Sequence, residues 1–223
     1  MKDIPIFTGK FGIATLILRE IPYKKCAYVM VRSAQQGRLP EFSEECTQFC
    51  QIAGAERVLI TADDPIDFLP HVHDMLEFCC RREALPVLEN PVPLEPVTEE
   101  TGGLYLQYYN MLFHDIPNAA TYTPEDLKRV MEKGCAYLAL VDGETAGIGE
   151  LGTGELCAIG VLPAYRGLGK QLALTLLERI GDKEIILRVS SGNRPALRLY
   201  EKLGFRQRRI LSRWYEGTEI TRE

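Results

Sequence analysis

Short apolar runs alternate with amphipathic stretches along this chain, a pattern typical of strands separated by helices. Apolar residues recur at helical spacing from Leu172 to Ile180, and Thr123 followed by Pro124 is typical of a helix N-terminus. The pair Asp142-Gly143 lies between two apolar runs and predicts a β-hairpin. The C-terminal half is thus predicted to contain helices at 101–113, 124–133, 167–180 and 193–203, and strands at 136–141, 146–151, 156–161, 184–189 and 205–215.

The N-terminal half shows the same alternation with fewer elements. Its apolar runs FGIATLIL and CAYVMV predict strands, the stretch from Pro40 to Ala53 predicts a polar helix, and Arg57 to Thr61 predicts another strand. We expect a helix from Leu69 to Arg82. Residues 91–100, PVPLEPVTEE, contain prolines that remove backbone donors and favour extended chain, so this segment is expected to be a linker.

These elements predict two domains. At about 150 residues per domain, the 223 residues correspond to one large domain or two small ones. We expect a smaller N-terminal α/β domain over 1–90, the linker over 91–100 and a second domain over 101–223. Strands and helices in this order imply a mixed sheet with helices packed on it, in the α/β (α+β) class.

A faint internal repeat relates the two halves. Placing residues 27–37 over residues 157–167 aligns three identical residues, Val31 with Val161, Ala34 with Ala164 and Gly37 with Gly167. The first copy has Gln36 and Pro40 where the second copy has an arginine and a lysine. The N-terminal half is therefore expected to be a degenerate copy.

Composition and charge are those of an ordinary globular protein. Hydrophobic residues make up 46% and charged residues 26%, and the net charge of −5 argues against a general nucleic-acid binder. No apolar run reaches the roughly 20 residues that a membrane helix needs, and the segment MKDIPIFTGK lacks the apolar centre of a signal peptide. We expect a cytoplasmic monomer or homodimer without nucleic-acid or membrane partners.

The seven cysteines indicate reduced thiols. Their number is odd and no C-x-x-C pair occurs, so a disulfide framework is not expected. Zinc-ligand side chains do occur between His71 and Cys80, but their spacing fits no common zinc module. No resident metal is expected.

The most specific chemistry lies in VLPAYRGLGKQ, residues 161–171. A strand ends at its first residue, and two glycines flanked by Arg166 and Lys170 then lead into a helix. Helix N-termini expose unpaired N–H groups and a positive dipole end, and glycines let an anion approach the backbone. This junction therefore predicts a phosphate site.

The common nucleotide motifs do not fit this loop. Ala164 stands where a P-loop has its first glycine, and Gln171 stands where it has the serine or threonine that reaches Mg²⁺. Leu172 replaces the third glycine of a dinucleotide fingerprint. The predicted phosphate site is therefore expected to bind a ligand other than a P-loop nucleotide or a dinucleotide.

Two motifs in this order resemble the GCN5-related N-acetyltransferase (GNAT) family. The first is V-x-P-x-x-R-G-x-G-K at residues 161–170, and the second is N-x-x-A-x-x-x-Y-x-x-x-G-F, which begins at Asn193. The resemblance covers residues 96–223. It implies a mixed, mostly antiparallel sheet in which the strand ending at Val161 splays away from its neighbour in a central strand pair.

The resemblance also implies acetyl-CoA as co-substrate. Its pantetheine arm would pair like an extra strand along the end of the splayed strand, because exposed N–H and C=O groups suit an amide-rich arm. Its pyrophosphate would lie on the glycine loop. The implied cofactor-binding residues are Ile159, Gly160, Val161, Arg166, Gly167, Leu168, Gly169, Lys170, Gln171, Asn193 and Tyr200.

Three side chains are candidates for proton transfer. The resemblance places Tyr200 near the thioester sulfur, as the acid that protonates the departing thiolate. An amine must lose a proton before it attacks, and Glu150 and Glu155, at the ends of adjacent predicted strands, are the available bases. A water relay, solvated strand-end glutamates and a simple N-cap role for Asn193 are the alternatives.

A small-molecule or peptide amine is the expected acceptor. In this family the two helices after the first strand form the acceptor wall, which here includes Tyr105, Tyr108, Tyr109, His114 and Asp115. We expect an N-acetyltransferase in which the amine attacks acetyl-CoA directly in a ternary complex. An acyltransferase that uses a longer acyl-CoA and a non-catalytic CoA-binding regulatory module are the alternatives.

Overall fold

The computed structural model describes residues 4–218, which divide into two compact units. Unit 1 comprises residues 4–75 and 210–218, and unit 2 comprises Leu76–Arg209. No helix in residues 4–218 is long and apolar enough to cross a bilayer. The domain limits expected from the sequence stay a prediction.

Unit 1 is built on strands in the order β1-β2-β3-β4-β11. Its elements are β1 (Ile6–Thr8), β2 (Gly12–Ile17), α1 (Ile21–Lys24), β3 (Cys26–Ala34), α2 (Leu39–Ile52), β4 (Arg57–Thr61) and the end of β11 (Arg206–Glu216). Strands β3 and β4 are parallel and stay paired from Cys26 opposite Arg57 to Met30 opposite Thr61. Helix α2 covers this sheet with Phe42, which is fully buried.

Unit 2 has strands in the order β5-β10-β9-β8-β7-β6. Its elements are β5 (His71–Arg81, which starts in unit 1), β6 (Leu94–Pro96), α3 (Gly102–Phe113), α4 (Pro124–Glu132), β7 (Ala136–Val141), β8 (Glu144–Gly152), β9 (Glu155–Val161), α5 (Gly169–Glu178), β10 (Glu184–Ser190) and α6 (Arg194–Lys202). The pairs β6–β7, β7–β8 and β8–β9 are antiparallel, whereas β9 and β10 are parallel. This mixed, mostly antiparallel sheet with flanking helices confirms the predicted fold class.

Local sequence signals explain several of these elements. The Thr123 side chain accepts a hydrogen bond from the Asp126 N–H, and the Asp126 side chain accepts one from the Thr123 N–H. These two hydrogen bonds form a full capping box at the start of α4, just before Pro124. Asp142 and Gly143 both have positive φ angles, 52° and 82°, as a two-residue hairpin between β7 and β8 requires.

The core of unit 2 lies between α3, α4 and one face of the sheet. Tyr105 and Tyr109 of α3 pack with Ile148 of β8 and Ala158 of β9. Helix α5 packs against β8 and β9 through buried leucines such as Leu176. The sheet is therefore covered by helices around the strands that carry the predicted site.

The structure differs from the sequence-based expectation in two segments. The helix expected from Leu69 to Arg82 is wrong, because His71–Arg81 form strand β5. Within the expected linker, Leu94–Pro96 form β6, which pairs with β7, and the Val92 N–H donates to Thr175 Oγ1 at 3.0 Å. Proline is tolerated here because β6 is an edge strand.

Candidate active site

The glycine loop leads into a helix N-terminus that no side chain caps. Residues Pro163–Tyr165 form a single 3₁₀ turn, Gly167 has a φ of 111°, and α5 then begins at Gly169. Leu168 occupies the N-cap position and its apolar side chain accepts no hydrogen bond, in contrast to Thr123 at the start of α4. The first N–H groups of α5 are thus available to an anion.

Two unpaired cations flank this helix start. Arg166 and Lys170 are exposed, and neither forms an ion pair within the part of the chain that the structure describes. Together with the helix dipole they create a positive local field on a chain whose net charge is −5. The loop is therefore suited to bind a phosphate or diphosphate group.

Strands β9 and β10 separate beside this loop. They pair only where Glu155 lies opposite Ile186 and Leu156 opposite Leu187. Beyond these pairs β9 continues to Val161, and there it is paired only on its other side, with β8. The facing edges offer unpaired backbone N–H and C=O groups to an extended ligand with amide groups. We call this opening the β9–β10 splay; its apex is at Cys157, the first unpaired residue.

Helix α6 follows β10 in unit 2, and it contains Tyr200 and is preceded directly by Asn193. The Asn193 Oδ1 accepts a hydrogen bond from the Ala196 N–H at 3.3 Å, so the residue is an N-cap. Tyr200 is 7% exposed and its ring lies 6.0 Å from that of Phe205. Burial raises the pKa of Tyr200 above its ordinary value, and its hydroxyl makes no hydrogen bond to another residue in 4–218. This phenol is a neutral donor without a competing protein acceptor.

A buried carboxylate lies on the α3 side of the sheet. Glu150 is 9% exposed, and its Oε2 accepts hydrogen bonds from the hydroxyls of Tyr122 at 2.8 Å and Tyr105 at 3.3 Å. Tyr109 stacks on Tyr122 with ring centroids 3.7 Å apart. Burial raises the pKa of Glu150, and the two phenol hydrogen bonds oppose part of that rise. Its pKa is consequently closer to neutrality than that of an ordinary carboxylate.

The second candidate base lies at the start of β9. Glu155 forms an ion pair of 3.6 Å with Arg188 of β10, beside the apex of the splay. Cys157 is exposed and lies within the electrostatic reach of both carboxylates, and partial desolvation by the surrounding protein, followed by Glu155 and Glu150, raises the pKa of its thiol. The structure thus brings Glu150, Glu155 and Cys157 into one neighbourhood.

The residues expected to form the acceptor wall divide into two groups. Tyr105 and Tyr109 are buried in the core, Tyr108 is half-buried against it, and Tyr105 contacts Glu150. His114 and Asp115 are exposed and hydrogen-bond each other, Nδ1 to Oδ1 at 2.7 Å. Sequence reasoning missed Tyr122, which lies just before the α4 capping box, and Cys157, which lies beside Leu156 in the predicted strand.

Metal chemistry has no support from side-chain clustering. Over residues 4–218, no three His, Cys, Asp or Glu side chains come together in a way that could hold a metal ion. All seven cysteines are free thiols.

Comparison with known proteins shows which family this region resembles. The profile of the acetyltransferase (GNAT) family matches residues 103–205. Mycothiol acetyltransferase from Thermomonospora curvata is 32% identical over an alignment of 147 residues that covers 54% of this chain and 49% of that protein. The catalytic subunit of the N-terminal acetyltransferase B complex from Arabidopsis thaliana is 38% identical over an alignment of 93 residues that covers 39% of this chain and 53% of that protein. This chain thus spans about half the length of these two curated relatives.

The fold comparison extends over both units. The crystal structure of a GCN5-related N-acetyltransferase from Sphaerobacter thermophilus superposes with a TM-score of 0.57 at 15% identity, covering 92% of this chain and 76% of that one. At this identity the match shows the fold alone. The family match itself covers the glycine loop, the splayed strands and α6. Residues 103–205 of this chain are therefore similar to the GNAT acetyltransferase family.

Proposed function

We propose that this chain is an acetyl-CoA-dependent N-acetyltransferase that transfers the acetyl group directly to a primary amine in a ternary complex. The observation that carries the proposal is the β9–β10 splay beside an uncapped helix start with two unpaired cations. The diphosphate of CoA would bind at Arg166–Gln171, and its amide-rich arm would pair with the edge of β9 at Ile159–Val161. The thioester would then lie near the apex at Cys157.

In the transfer step the amine nitrogen bonds to the acetyl carbon and the carbon–sulfur bond breaks. Backbone N–H groups at the edge of β9 would stabilise the negative oxygen that develops on the acetyl group. Holding the two reactants side by side makes the reaction effectively unimolecular. The proton lost by the amine goes to a base, and the departing thiolate takes a proton or a hydrogen bond from an acid.

We assign the base to Glu150, reached directly or through water, and the positioning of the amine to Glu155. A base works best when its pKa lies near the working pH, and the burial that raises the pKa of Glu150 moves it in that direction. Glu155 at the apex provides a negative charge for an incoming ammonium group, although Arg188 neutralises part of it.

We assign Tyr200 as the donor to the CoA thiolate. A thiol of this type has a pKa near 8.5 by analogy with cysteine, and a phenol has one near 10, so full proton transfer is uphill by about 2 kcal/mol. Burial raises the pKa of Tyr200 further, which makes full proton transfer to the thiolate still less favourable. A hydrogen bond from the phenol, rather than complete transfer, therefore gives most of the benefit.

Direct attack is favoured over an acetyl-cysteine intermediate. Cys157 is the cysteine at the apex, but the surrounding protein and the nearby Glu155 and Glu150 raise the pKa of its thiol, which disfavours the nucleophilic thiolate. The proposal accordingly needs amine and acetyl-CoA bound together. A cytoplasmic location, in agreement with the free thiols, is part of the same proposal.

Release of free CoA thiol tests the function. Purified protein with acetyl-CoA and a panel of primary amines should release thiol only when an amine is present, and product mass should rise by one acetyl group. Competition with longer acyl-CoAs would reveal a different acyl preference. Tight CoA binding with no release for any amine would instead identify a non-catalytic CoA-binding module.

A further inference from the structure

Unit 2 contains an open cleft of about 700 Å³ where β7 begins and β8 ends. The buried Glu150 lines its inner part, and the exposed Cys157 lines it as well. Three exposed cations line its outer part, Arg129 and Lys133 at the end of α4 and Arg179 at the end of α5. Small-molecule sites have volumes of roughly 300–1,000 Å³, so the cleft has room for a small acceptor or a short peptide. We call it the β7–β9 cleft.

The three cations differ in how far neighbours neutralise them. The guanidinium of Arg129 binds Asp126 Oδ1 at 2.8 Å. Arg179 lies 4.9 Å above the ring of Tyr137, which orients the charge without cancelling it. Lys133 is exposed and forms no ion pair among residues 4–218. The outer cleft therefore keeps at least two uncompensated positive charges.

These charges act on the inner carboxylate. Arg129 and Lys133 both lower the pKa of Glu150, against the larger opposing effect of its burial. The cations thus lie within electrostatic reach of the group that we assign as the base. A molecule in the cleft would meet a negative charge at its inner end and positive charges at its outer end.

The cleft also meets the site proposed for the thioester. Cys157 lines the β7–β9 cleft and is the first unpaired residue of the β9–β10 splay. An amine that reaches the thioester at the apex would therefore have the rest of its molecule in this cleft. A polycationic acceptor would be repelled by the outer cations, whereas an anionic group would be attracted to them.

We propose that the acceptor of this acetyltransferase is an amine that also carries an anionic group, a carboxylate or a phosphate, which binds Lys133 and Arg179 while the amine faces Glu150. The inference rests on the proposed function and names the substrate class of the same site. Lys133 and Arg179 are specificity residues in this arrangement, because they contact the acceptor away from the reacting atoms.

Matched amine pairs test the inference. Thiol release is measured with β-alanine against β-alaninamide, and with phosphoethanolamine against ethanolamine, so that the two arms distinguish a carboxylate from a phosphate. We expect kcat/KM to favour the anionic member by about 10-fold or more in at least one pair, and added salt to reduce this preference because it screens exposed charges.

Charge reversal provides the decisive comparison. Lys133→Glu and Arg179→Glu should each lower the ratio of kcat/KM between the anionic and neutral amines about 10-fold, and comparing variant with wild type cancels the intrinsic reactivity of each amine. The matched control is Lys128→Glu, an exposed lysine of α4 that does not line the cleft. This control should leave the ratio as in the wild type.

The outcomes separate the inference from the function on which it rests. Thiol release with both members of each pair at equal kcat/KM, or a ratio that the two reversals do not change, would overturn the inference and leave the acetyltransferase proposal standing. Absence of thiol release with every amine, despite CoA binding, would overturn the proposed function and the inference with it.

Discussion

Replacing Gly169 by valine tests the phosphate loop through two quantities that should respond differently. Gly169 is the first residue of α5, and a Cβ added to it would meet only the Cδ2 of Leu199, at 3.8 Å. This is an ordinary van der Waals distance, so the protein itself has room for a Cβ at this position. The valine would instead occupy space above the first turn of the helix, where the CoA diphosphate is proposed to bind.

The expected effects on folding and on binding can be compared in size. Valine is a better helix residue than glycine by a few tenths of a kcal/mol, so the free energy of unfolding should change by less than about 0.5 kcal/mol. Loss of one hydrogen bond to a charged diphosphate costs about 1.5–3 kcal/mol, which corresponds to a roughly 10- to 150-fold weaker Kd for CoA. Urea unfolding and calorimetric titration with CoA measure the two quantities.

Gly181→Val is the matched control for this substitution. Gly181 follows the other end of α5, and a Cβ there would meet nothing within 4 Å. It should leave both the unfolding free energy and the Kd for CoA near their wild-type values. An unchanged Kd in Gly169→Val, or a loss of stability as large as the loss of binding energy, would refute the assignment of this helix start to the diphosphate.

Four further results are expected. Tyr200→Phe removes only the hydroxyl, so kcat should fall about 100-fold while the Kd for CoA stays constant in calorimetry; an unchanged kcat with chemistry rate-limiting would make Tyr200 a packing residue. Because burial raises the pKa of Glu150, its carboxylate becomes protonated as the pH falls through that raised value, and kcat/KM should decrease on the acid side. Glu150→Gln should remove this acid limb from the pH profile, and persistence of the limb would assign the base to another group. Titration should give one acyl-CoA per chain, since β3 and β4 of unit 1 stay paired where β9 and β10 separate; a stoichiometry of two would contradict this. Incubation with acetyl-CoA without an amine should leave Cys157 unacetylated in peptide mass spectrometry, and an acetyl group on this thiol would contradict direct attack.

Local signals made much of the fold predictable. Three features depend only on residues close together in the chain, and each forms the element that it predicts: the capping box at Thr123, the hairpin at Asp142-Gly143 and the apolar face of α5. Strand β5 was not predictable in this way. Its local pattern of histidines, cysteines and acids fits a helix as well as a strand, and the neighbouring strand that decides the outcome, β10, lies far along the chain.

The candidate site was likewise predictable only where its residues are contiguous in the chain. The glycine loop could be predicted because its cations, glycines and helix start are contiguous. The hydrogen bonds from Tyr105 and Tyr122 to Glu150 could not, since they join residues 45 and 28 positions apart that come together only when α3 and the loop before α4 cover β8. The β7–β9 cleft could not be predicted from the sequence either, because its walls are formed by the ends of elements that are separate in the chain.

A crystal structure of the protein with acetyl-CoA tests the central claim most directly. We expect the diphosphate against the N–H groups at the start of α5, the pantetheine arm paired with the edge of β9 from Ile159 to Val161, and the thioester near Cys157 and Tyr200. Acetyl-CoA bound outside the β9–β10 splay, with that opening empty, would contradict the account.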